Sequence, residues 1–341
     1  MAEELISVIS IIYDVAPYLK ECLESLSFLK YPALEILLIV GGKEEKGPDG
    51  GSSVDYRGCL EIAEEYAKKD SRFRVITCVA NGAGDARNRG LNAAKGAYIG
   101  FVDGDDFVAP EMYDRLFENL KQNNADISIC GHFREYPDHR EVFDKDADRG
   151  AKLLSRKEGV KTLLRGDSFF FHSWDKLFKA ECFKDLRFPE DRYLEDRYTI
   201  GDIFLKADRI VYDTAPLYHF RIRSDSLSRI KNMSELNSDA DTYFCEQVLK
   251  QFPELSNDAE ACLFYGHITC QQNALTEGYF DRKEAEKHFR YIREHRKSIS
   301  KNPEAGLNTR IKGFLSLHCL FLLKLITLFG KKKNEKLFRL H

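Results

Sequence analysis

Apolar runs rich in β-branched residues alternate with amphipathic stretches along the first 130 residues. The apolar runs predict strands near residues 6–13, 34–40, 72–78, 97–102 and 125–130. The stretches between them have helical spacing and predict helices near residues 17–29, 56–69, 84–94 and 110–123. This repeated βαβ order indicates an α/β fold, in which helices cover both faces of a mostly parallel sheet.

The pattern changes after residue 130. Residues 131–170 are polar and irregular and predict a loop excursion, whereas 195–207 predict a helix and 209–222 predict two short strands. From about residue 232 onward the pattern is helical almost throughout. We therefore expect one domain over residues 1–230 and a helical C-terminal region over residues 231–341.

The helical region contains an amphipathic stretch at about residues 308–330. Six apolar residues share one face of the predicted helix: Phe314, Leu315, Leu322, Leu325, Ile326 and Phe329. Four residues occupy the other face: Lys312, Ser316, Lys324 and Thr327. Three lysines follow at 331–333. Such a helix binds anionic lipid at a membrane surface, or covers apolar surface of its own protein or of a second copy in a homodimer, and the sequence leaves these interpretations open.

Composition narrows the class of protein. With 341 residues, 43% of them hydrophobic, the chain can bury a substantial core, and a formal net charge of -3 argues against nucleic-acid binding through bulk charge. Its nine cysteines include no CxxC pair, which argues against a disulfide framework or a structural zinc site. The acidic N-terminus leads directly into a predicted strand, so we expect no signal peptide and a cytoplasmic protein.

An acidic cluster, Asp103-Gly104-Asp105-Asp106, ends the apolar run of residues 97–102. In extended backbone Asp103 and Asp105 share a face, whereas Asp106 points elsewhere. Three carboxylates this close repel one another unless a cation joins them, which favours a metal site at the carboxyl edge of the sheet. Taken alone, the cluster is equally typical of an acidic turn before the helix that Pro110 opens.

Several segments follow one another in an order that is typical of one enzyme family. They are residues 9–14, 17–19, 22–26, 82–91 with an ARNxGL motif, 103–106 with a DxD motif, 174–178, 188–189, 195–196 and 218–221. Over about the first 230 residues the chain thereby resembles glycosyltransferase family 2, the nucleotide-sugar-dependent transferases of GT-A fold. The resemblance implies a nucleotide-sugar-binding part at about 1–130 and an acceptor-binding and catalytic part at about 131–230.

The resemblance also implies the catalytic roles. A divalent metal, Mn²⁺ or Mg²⁺, would be held by Asp105 and Asp103, with Asp103 also near the donor ribose, and it would neutralise the departing diphosphate. The acceptor hydroxyl needs a base, and Asp196 beside Glu195 is the expected one. A direct displacement with one base inverts the anomeric centre. From local sequence alone, Glu195 and Asp196 are better understood as acids that complement a helix dipole, and it is the resemblance that favours the catalytic role.

Further residues are expected to bind the two substrates. Those expected to contact the donor are Tyr13, Asp14, Asp49, Arg87, His219 and Arg221, beside Asp103. Those expected to contact the acceptor are Trp174, Asp175 and Lys176, of which Asp175 and Lys176 are expected to be the more exposed. Each has a simpler interpretation: a solvated helix face for Arg87, a solvated strand face for His219 and Arg221, which alternate with Arg223, and core packing for Trp174.

One departure from the family pattern concerns the nucleoside site. After the second predicted strand the family carries an aspartate pair in a DDGSxD segment, whereas this chain has Gly41-Gly42-Lys43. A similar string, residues 49–55, follows about eight residues later. Asp49 either replaces the missing carboxylate or belongs to a loop of ordinary composition.

These features and the resemblance together predict a metal-dependent inverting hexosyltransferase that is cytoplasmic, with peripheral contact at the inner face of the membrane as one of the interpretations left open for residues 308–330. Its expected donor is a nucleoside diphosphate sugar, UDP-linked, and its expected acceptor is a glycan or a lipid-linked glycan in surface polysaccharide biosynthesis. Two alternatives remain. A sugar nucleotidyltransferase generally carries a glycine-rich basic loop after the first strand, where this chain has residues 13–17, Tyr-Asp-Val-Ala-Pro. A transferase-like partner subunit that has lost donor chemistry would explain Gly41 and Gly42.

Overall fold

The computed structural model describes residues 4–46, 52–143, 150–223, 233–277 and 282–336. The chain forms two compact units. The first consists of Met1–Gly159 and Ser168–Arg223, and the second of Val160–Asp167 and Ser224–His341.

The first unit is a mixed sheet with flanking helices. Its strands are β1 (Ile6–Ile12), β2 (Leu34–Lys46), β3 (Ser52–Asp55), β4 (Phe73–Val79), β5 (Tyr98–Asp103), β6 (Phe107–Val108), β7 (Ile127–Glu135), β8 (Arg140–Val142), β9 (Ala151–Ser155), β10 (Lys176–Lys179) and β11 (Arg209–Arg221). Its helices are α1 (Ala16–Ser27), α2 (Cys59–Lys69), α3 (Gly82–Ala93), α4 (Met112–Gln122) and α6 (Glu195–Phe204), while α5 (Arg156–Arg165) begins in this unit and ends in the second.

Strand direction decides which residues reach the edge of the sheet. Strands β4, β2, β1 and β5 are parallel neighbours in that order, so their carboxyl ends lie at one edge. Strand β10 lies antiparallel between β5 and β7, and β11 runs parallel to β7. Because β10 runs antiparallel, the residues just before it lie at the same edge as the carboxyl end of β5.

The central strands are buried on both faces, as a parallel sheet covered by helices requires. In β2 the side chains of residues 36–40 are all 0% exposed, although successive side chains point to opposite faces. One face packs in a core that includes Leu19 and Leu23 of α1. On the other face α3 approaches β1 so closely that a Cβ at Gly90 would clash with Ile9.

Two expectations about the middle of the chain are wrong. Residues 131–170, predicted to be a loop excursion, contain the end of β7 together with β8, β9 and all of α5. Strands β8 and β9 are mostly exposed edge strands, so they lack the apolar runs that signal a buried strand. Residues 209–222, predicted as two strands, form the single strand β11, whose register with β7 shifts around Pro216 and interrupts the pattern.

The second unit is helical in its described residues. Its further helices are α7 (Met233–Gln251), α8 (Ser256–Glu277), α9 (Arg282–Lys301), α10 (Leu307–His318) and α11 (Leu320–Lys336). Phe264, Ile268, Ile292 and Ile299 form a small core between α8 and α9. No helix in the described part of the chain is long and apolar enough to cross a bilayer.

The structure bears on the predicted amphipathic helix at 308–330 in two respects. It is two helices, because the chain breaks at Cys319 between α10 and α11. Of the interpretations left open for its apolar face, burial against the chain's own core is wrong at Phe314, which is 61% exposed, whereas Ser316 of the polar face is 0% exposed.

Candidate active site

The acidic cluster forms a tight turn at the carboxyl edge of the sheet. Asp103 is the last residue of β5 and pairs with Ile11 of β1. The amide of Gly104 donates to the carbonyl of Ile11 (3.0 Å), and the amide of Asp106 donates to the carbonyl of Asp103 (3.0 Å). The strand therefore delivers these carboxylates to the edge at which the parallel strands end.

Asp106 anchors this turn to strand β11. It is 1% exposed, and its carboxylate accepts hydrogen bonds from the Tyr218 hydroxyl (2.8 Å) and from the Arg221 amide (2.8 Å). Burial raises the pKa of Asp106 well above its usual range, and the neighbouring Asp105 and Asp103 raise it further. The side chains of Asp103 and Asp105 keep 25% and 22% of their surface exposed, so these two remain accessible to a ligand.

Arg87 of α3 joins the acidic turn to helix α6. Its guanidinium donates to Asp103 Oδ1 (3.2 Å) and to Glu195 Oε1, the first residue of α6, and only 5% of Arg87 is exposed. Burial disfavours the guanidinium charge, but the carboxylates of Glu195 and Asp103 outweigh this cost and raise the pKa of Arg87. Burial likewise raises the pKa of Glu195, although Arg87 opposes the shift.

A glycine allows this approach of α3. A Cβ at Gly84 would clash with the carbonyl oxygen of Pro189, in the segment that leads to α6. Asn88, one turn further along α3, donates to the carbonyl of Phe188 (2.8 Å) and accepts from its amide (2.9 Å). The ARNxGL segment therefore holds Arg87 between the two acidic groups.

Asp196, the expected base, follows Glu195 in α6. Its Oδ2 lies 3.7 Å from His172 Nδ1, which is an ion-pair distance rather than a hydrogen bond, and its side chain is 16% exposed. Burial alone would raise the pKa of Asp196, but His172, with Arg87 and Arg197 nearby, lowers it below its ordinary value. Asp196 is therefore held as a carboxylate, the form that a base requires.

His172 was not among the residues expected from the sequence. It precedes β10, and its ring stacks on Trp174 with centroids 4.8 Å apart, while Trp174 stacks on Tyr218 at 4.3 Å. The antiparallel direction of β10 brings this segment to the acidic edge. The only signal in the sequence is that His172 lies two residues before the sole tryptophan.

The residues expected to bind the acceptor are buried. Trp174 is 3% exposed, which agrees with core packing, but Asp175 and Lys176 are 1% and 0% exposed, so their expected exposure is wrong. The Lys176 ammonium donates to Asp175 Oδ1 (2.6 Å) and to the carbonyls of Phe170 (2.8 Å) and His172 (2.6 Å). Three charge-assisted bonds compensate for burying the ammonium, which thereby holds the backbone that carries His172.

The two expected donor residues of β11 contact the ring of Phe107. His219 stacks on this ring (4.3 Å) and pairs through Nδ1 with Glu135 (2.7 Å), while the Arg221 guanidinium lies 5.3 Å from the ring centroid. Arg221 Nε also donates to the Asp105 carbonyl (2.8 Å). Arg221 thus supports the acidic turn directly, and His219 is 9% exposed beside it.

Arg223 brings a second positive charge to the turn. Its Nε lies 3.3 Å from Asp105 Oδ2, and its guanidinium lies over the ring of Tyr18 at 4.8 Å. The carboxylates of Asp103 and Asp105 therefore both have an arginine beside them, Arg87 and Arg223. Burial nevertheless raises the pKa of Asp103; Arg87 opposes this, and Asp105 and Asp196 add to it.

The remaining expected donor residues follow β1 and β2. Tyr13 is 45% exposed just after β1, and Asp14 next to it pairs with Arg57 (2.9 Å). Asp49 lies outside the described residues. A Cβ at Gly42 would lie 2.5 Å from Val54 Cγ1, so the β2–β3 hairpin leaves no room for a carboxylate at this position.

Comparisons with known proteins identify the class. The model of glycosyl transferase family 2 matches residues 7–187. The uncharacterized glycosyltransferase EpsJ of Bacillus subtilis is 35% identical over 231 residues, which cover 66% of this chain and 63% of EpsJ. The chain belongs to glycosyl transferase family 2, as its motifs predicted.

Solved structures share the fold at low sequence identity. S. aureus TarS 1–349 in complex with UDP-GlcNAc has a TM-score of 0.65 at 18% identity, covering 96% of this chain and 92% of that one. The mannosyltransferase PcManGT of Pyrobaculum calidifontis, in complex with GDP-Man and Mn²⁺, has a TM-score of 0.54 at 14% identity, covering 96% and 85%. The predicted α/β GT-A fold followed by helices is confirmed.

Proposed function

We propose that this protein is an inverting glycosyltransferase that transfers a sugar from a UDP-linked donor to a glycan or lipid-linked acceptor in surface polysaccharide synthesis. The observation that carries the proposal is the Arg87 bridge. It joins Asp103 of the acidic turn to Glu195, next to Asp196, so that the groups expected to serve the donor and the acceptor belong to one cluster. Of these groups, Arg87 and Asp103 lie within the family match at residues 7–187, and Glu195 and Asp196 lie shortly after it.

A divalent cation fits the acidic turn. Within the described residues, no group of three His, Cys, Asp or Glu side chains is arranged to hold a metal ion. Asp103 and Asp105 would be its protein ligands, and carboxylates with donor phosphates and water are an ordinary set for Mg²⁺ or Mn²⁺. The raised pKa of Asp103 reflects burial and neighbouring negative charge that such a cation would offset. When bound, the cation would stabilise the departing diphosphate.

Asp196 is the proposed base. As the acceptor hydroxyl attacks the anomeric carbon, the bond to the diphosphate breaks and the hydroxyl proton passes to the Asp196 carboxylate. The lowered pKa of Asp196 supports this assignment, because the group is ionised before the acceptor binds. Glu195, bound to buried Arg87, would position Asp196 rather than take the proton.

The nucleoside is expected to bind beside Tyr13. This exposed ring at the carboxyl end of β1 can stack on a planar base, and Asp14 next to it offers a carboxylate. Arg221 and Arg223 at the acidic turn would add positive charge near the diphosphate. The TarS complex with UDP-GlcNAc supports a uridine nucleotide as the first donor to test.

Calorimetry with UDP and GDP, each with Mn²⁺ and with EDTA, tests the proposal. We expect UDP to bind only with the metal, and more tightly than GDP. A donor screen for metal-dependent nucleotide release would then name the sugar. Absence of nucleotide binding under every metal would contradict the transferase assignment and favour a partner subunit without donor chemistry.

A further inference from the structure

The outward side of α10 and α11 is apolar. Six side chains define this surface, which we call the α10–α11 apolar face: Leu307 (73% exposed), Ile311 (49%), Phe314 (61%), Phe321 (70%), Leu322 (46%) and Ile326 (48%). Residues 307, 311 and 314 share one side of α10, and 322 and 326 share one side of α11. An exposed apolar surface of this kind marks a site of interaction.

Specific contacts fix the opposite side of these helices against α8. A Cβ at Gly313 would lie 2.6 Å from the Phe264 ring, so α10 packs closely there. Buried Ser316 donates to Gln271 Oε1, and Gln272 Nε2 donates to Thr327 Oγ1 (2.8 Å). Because polar groups of both helices are satisfied inward, neither helix can rotate to bury its apolar face without losing these bonds.

The charge of this segment differs from that of the rest of the chain. Residues 305–334 contain six Lys and Arg and no Asp or Glu. Removing these six from the 52 Lys and Arg of the chain leaves 46 against 55 Asp and Glu, so the remainder is acidic. Lys312 lies beside the apolar face, with its Nζ 5.7 Å from the ring of Tyr265, which is itself 50% exposed.

We propose that the α10–α11 apolar face binds the surface of an anionic phospholipid bilayer. Apolar side chains bordered by cations and an exposed tyrosine match the chemistry of the lipid interface, where acyl chains lie below negatively charged headgroups. A second copy of this chain is a poorer match, because self-association through this face would place the cations of one copy against the same cations of the other. The proposal goes beyond sugar transfer, since it concerns the second unit and requires no nucleotide.

Co-sedimentation of the full chain with vesicles tests the proposal. We expect binding to vesicles of mixed phosphatidylcholine and phosphatidylglycerol, weaker binding to phosphatidylcholine alone, and a loss of binding as salt is raised. The double variant Phe314→Ser/Phe321→Ser should bind the mixed vesicles at least about tenfold more weakly. Lys312→Glu/Lys324→Glu should weaken binding to mixed vesicles and leave the residual binding to phosphatidylcholine unchanged.

Phe28→Ser is the matched control, because Phe28 is 63% exposed in the first unit and should retain full vesicle binding. Circular dichroism establishes that each variant is folded. Wild-type binding by the Phe314→Ser/Phe321→Ser variant would overturn the proposal. A second result would also overturn it: a wild-type protein that binds no vesicles and forms a dimer, which this variant converts to a monomer. The face would then be a subunit interface. UDP titration of the same samples reports separately on the proposed transfer activity.

Discussion

Asp103 and Asp196 are carboxylates of one cluster, yet their surroundings move their pKa values in opposite directions. Burial alone would raise both pKa values, and near Asp103 the carboxylates of Asp105 and Asp196 add to that rise. Near Asp196, His172 and the arginines Arg87 and Arg197 outweigh burial. The negative charge around Asp103 is what a bound cation would offset, and the lowered pKa of Asp196 keeps that group in the ionised form that a base requires.

Replacing His172 with phenylalanine should move the acid limb of the pH profile. The pKa of Asp196 is depressed in the folded protein, so its carboxylate is present at higher pH and activity is lost as the pH falls through that pKa. Removing the imidazole removes the charge that lowers the pKa, while a phenyl ring keeps the stack on Trp174. We expect the acid limb of kcat/KM for His172→Phe to lie at higher pH.

His139→Phe is the control for that measurement, because His139 pairs with Asp138 and Glu141 rather than with a residue of the cluster. Its acid limb should coincide with that of the wild type. An unchanged limb in both variants would show that His172 does not set the ionisation of Asp196.

Residue types and order were enough to propose the acids of the candidate site but not to find the groups that shift their pKa values. Asp103, Asp105 and Asp196 stand in motifs whose spacing is visible in the chain. His172 reaches Asp196 only because β10 inserts antiparallel into the sheet, a pairing that no local pattern indicates. Lysine is usually a surface residue, and only the structure shows that Lys176 is buried with three hydrogen-bond partners.

At the scale of elements, α3 connects the acidic turn to α6, and this connection depends on a close approach of α3 to the segment before α6. A methyl group at Gly84 would meet the backbone of Pro189. We expect Gly84→Ala to lower the free energy of unfolding by about 1–3 kcal/mol, the usual cost of overpacking. Gly266→Ala, inside α8 where the added Cβ would make only an ordinary contact at 3.6 Å, should not lower it. Urea unfolding followed by circular dichroism compares them, and equal midpoints would show that α3 is not tightly held.

Replacing Arg87, which bridges α3, β5 and α6, should lower the free energy of unfolding more than Gly84→Ala does. Arg87→Met leaves Glu195 and Asp103 without their cation in a buried setting, and we expect a loss of stability of about 3 kcal/mol. Arg89→Met is the control on the same helix, since Arg89 is 45% exposed and pairs with Asp85, so its cost should stay below about 1 kcal/mol. Similar urea midpoints for the two variants would contradict a bridging role for Arg87.

Elements with long apolar periodicity were predictable, and elements stabilised by tertiary context were not. The five predicted strands and four predicted helices of the first 130 residues all have counterparts in the structure. Strands β8 and β9 were missed because edge strands carry exposed side chains. The apolar and polar sides of α10 and α11 could be recognised from the sequence, but not which side packs inward, because Ser316 and Thr327 are hydrogen-bonded to α8.

At the scale of the whole molecule, the two units differ in what the comparisons say of them. The family match, at residues 7–187, covers most of the first unit, and EpsJ extends beyond the aligned part, because the match spans 63% of its length. The helices α7 to α11 lie outside the family match. We therefore propose that donor chemistry belongs to the first unit. The basic segment at residues 305–334, which contrasts with the acidic remainder of the chain, is the basis for proposing a separate partner for the second unit.

The central claim is that one cluster divides its work between Asp105, which serves the donor, and Asp196, which serves the acceptor. Measuring metal-dependent UDP binding and sugar transfer for Asp105→Asn and Asp196→Asn in parallel tests it most directly. Asp191→Asn, at an aspartate that is 74% exposed, is the control and should behave as wild type in both assays.

We predict that Asp105→Asn weakens metal-dependent UDP binding at least about tenfold, because a neutral amide is a poorer ligand for a hard cation. Asp196→Asn should bind UDP as the wild type does and transfer sugar at least about a hundredfold more slowly. Wild-type UDP binding by Asp105→Asn together with wild-type turnover by Asp196→Asn would contradict the account.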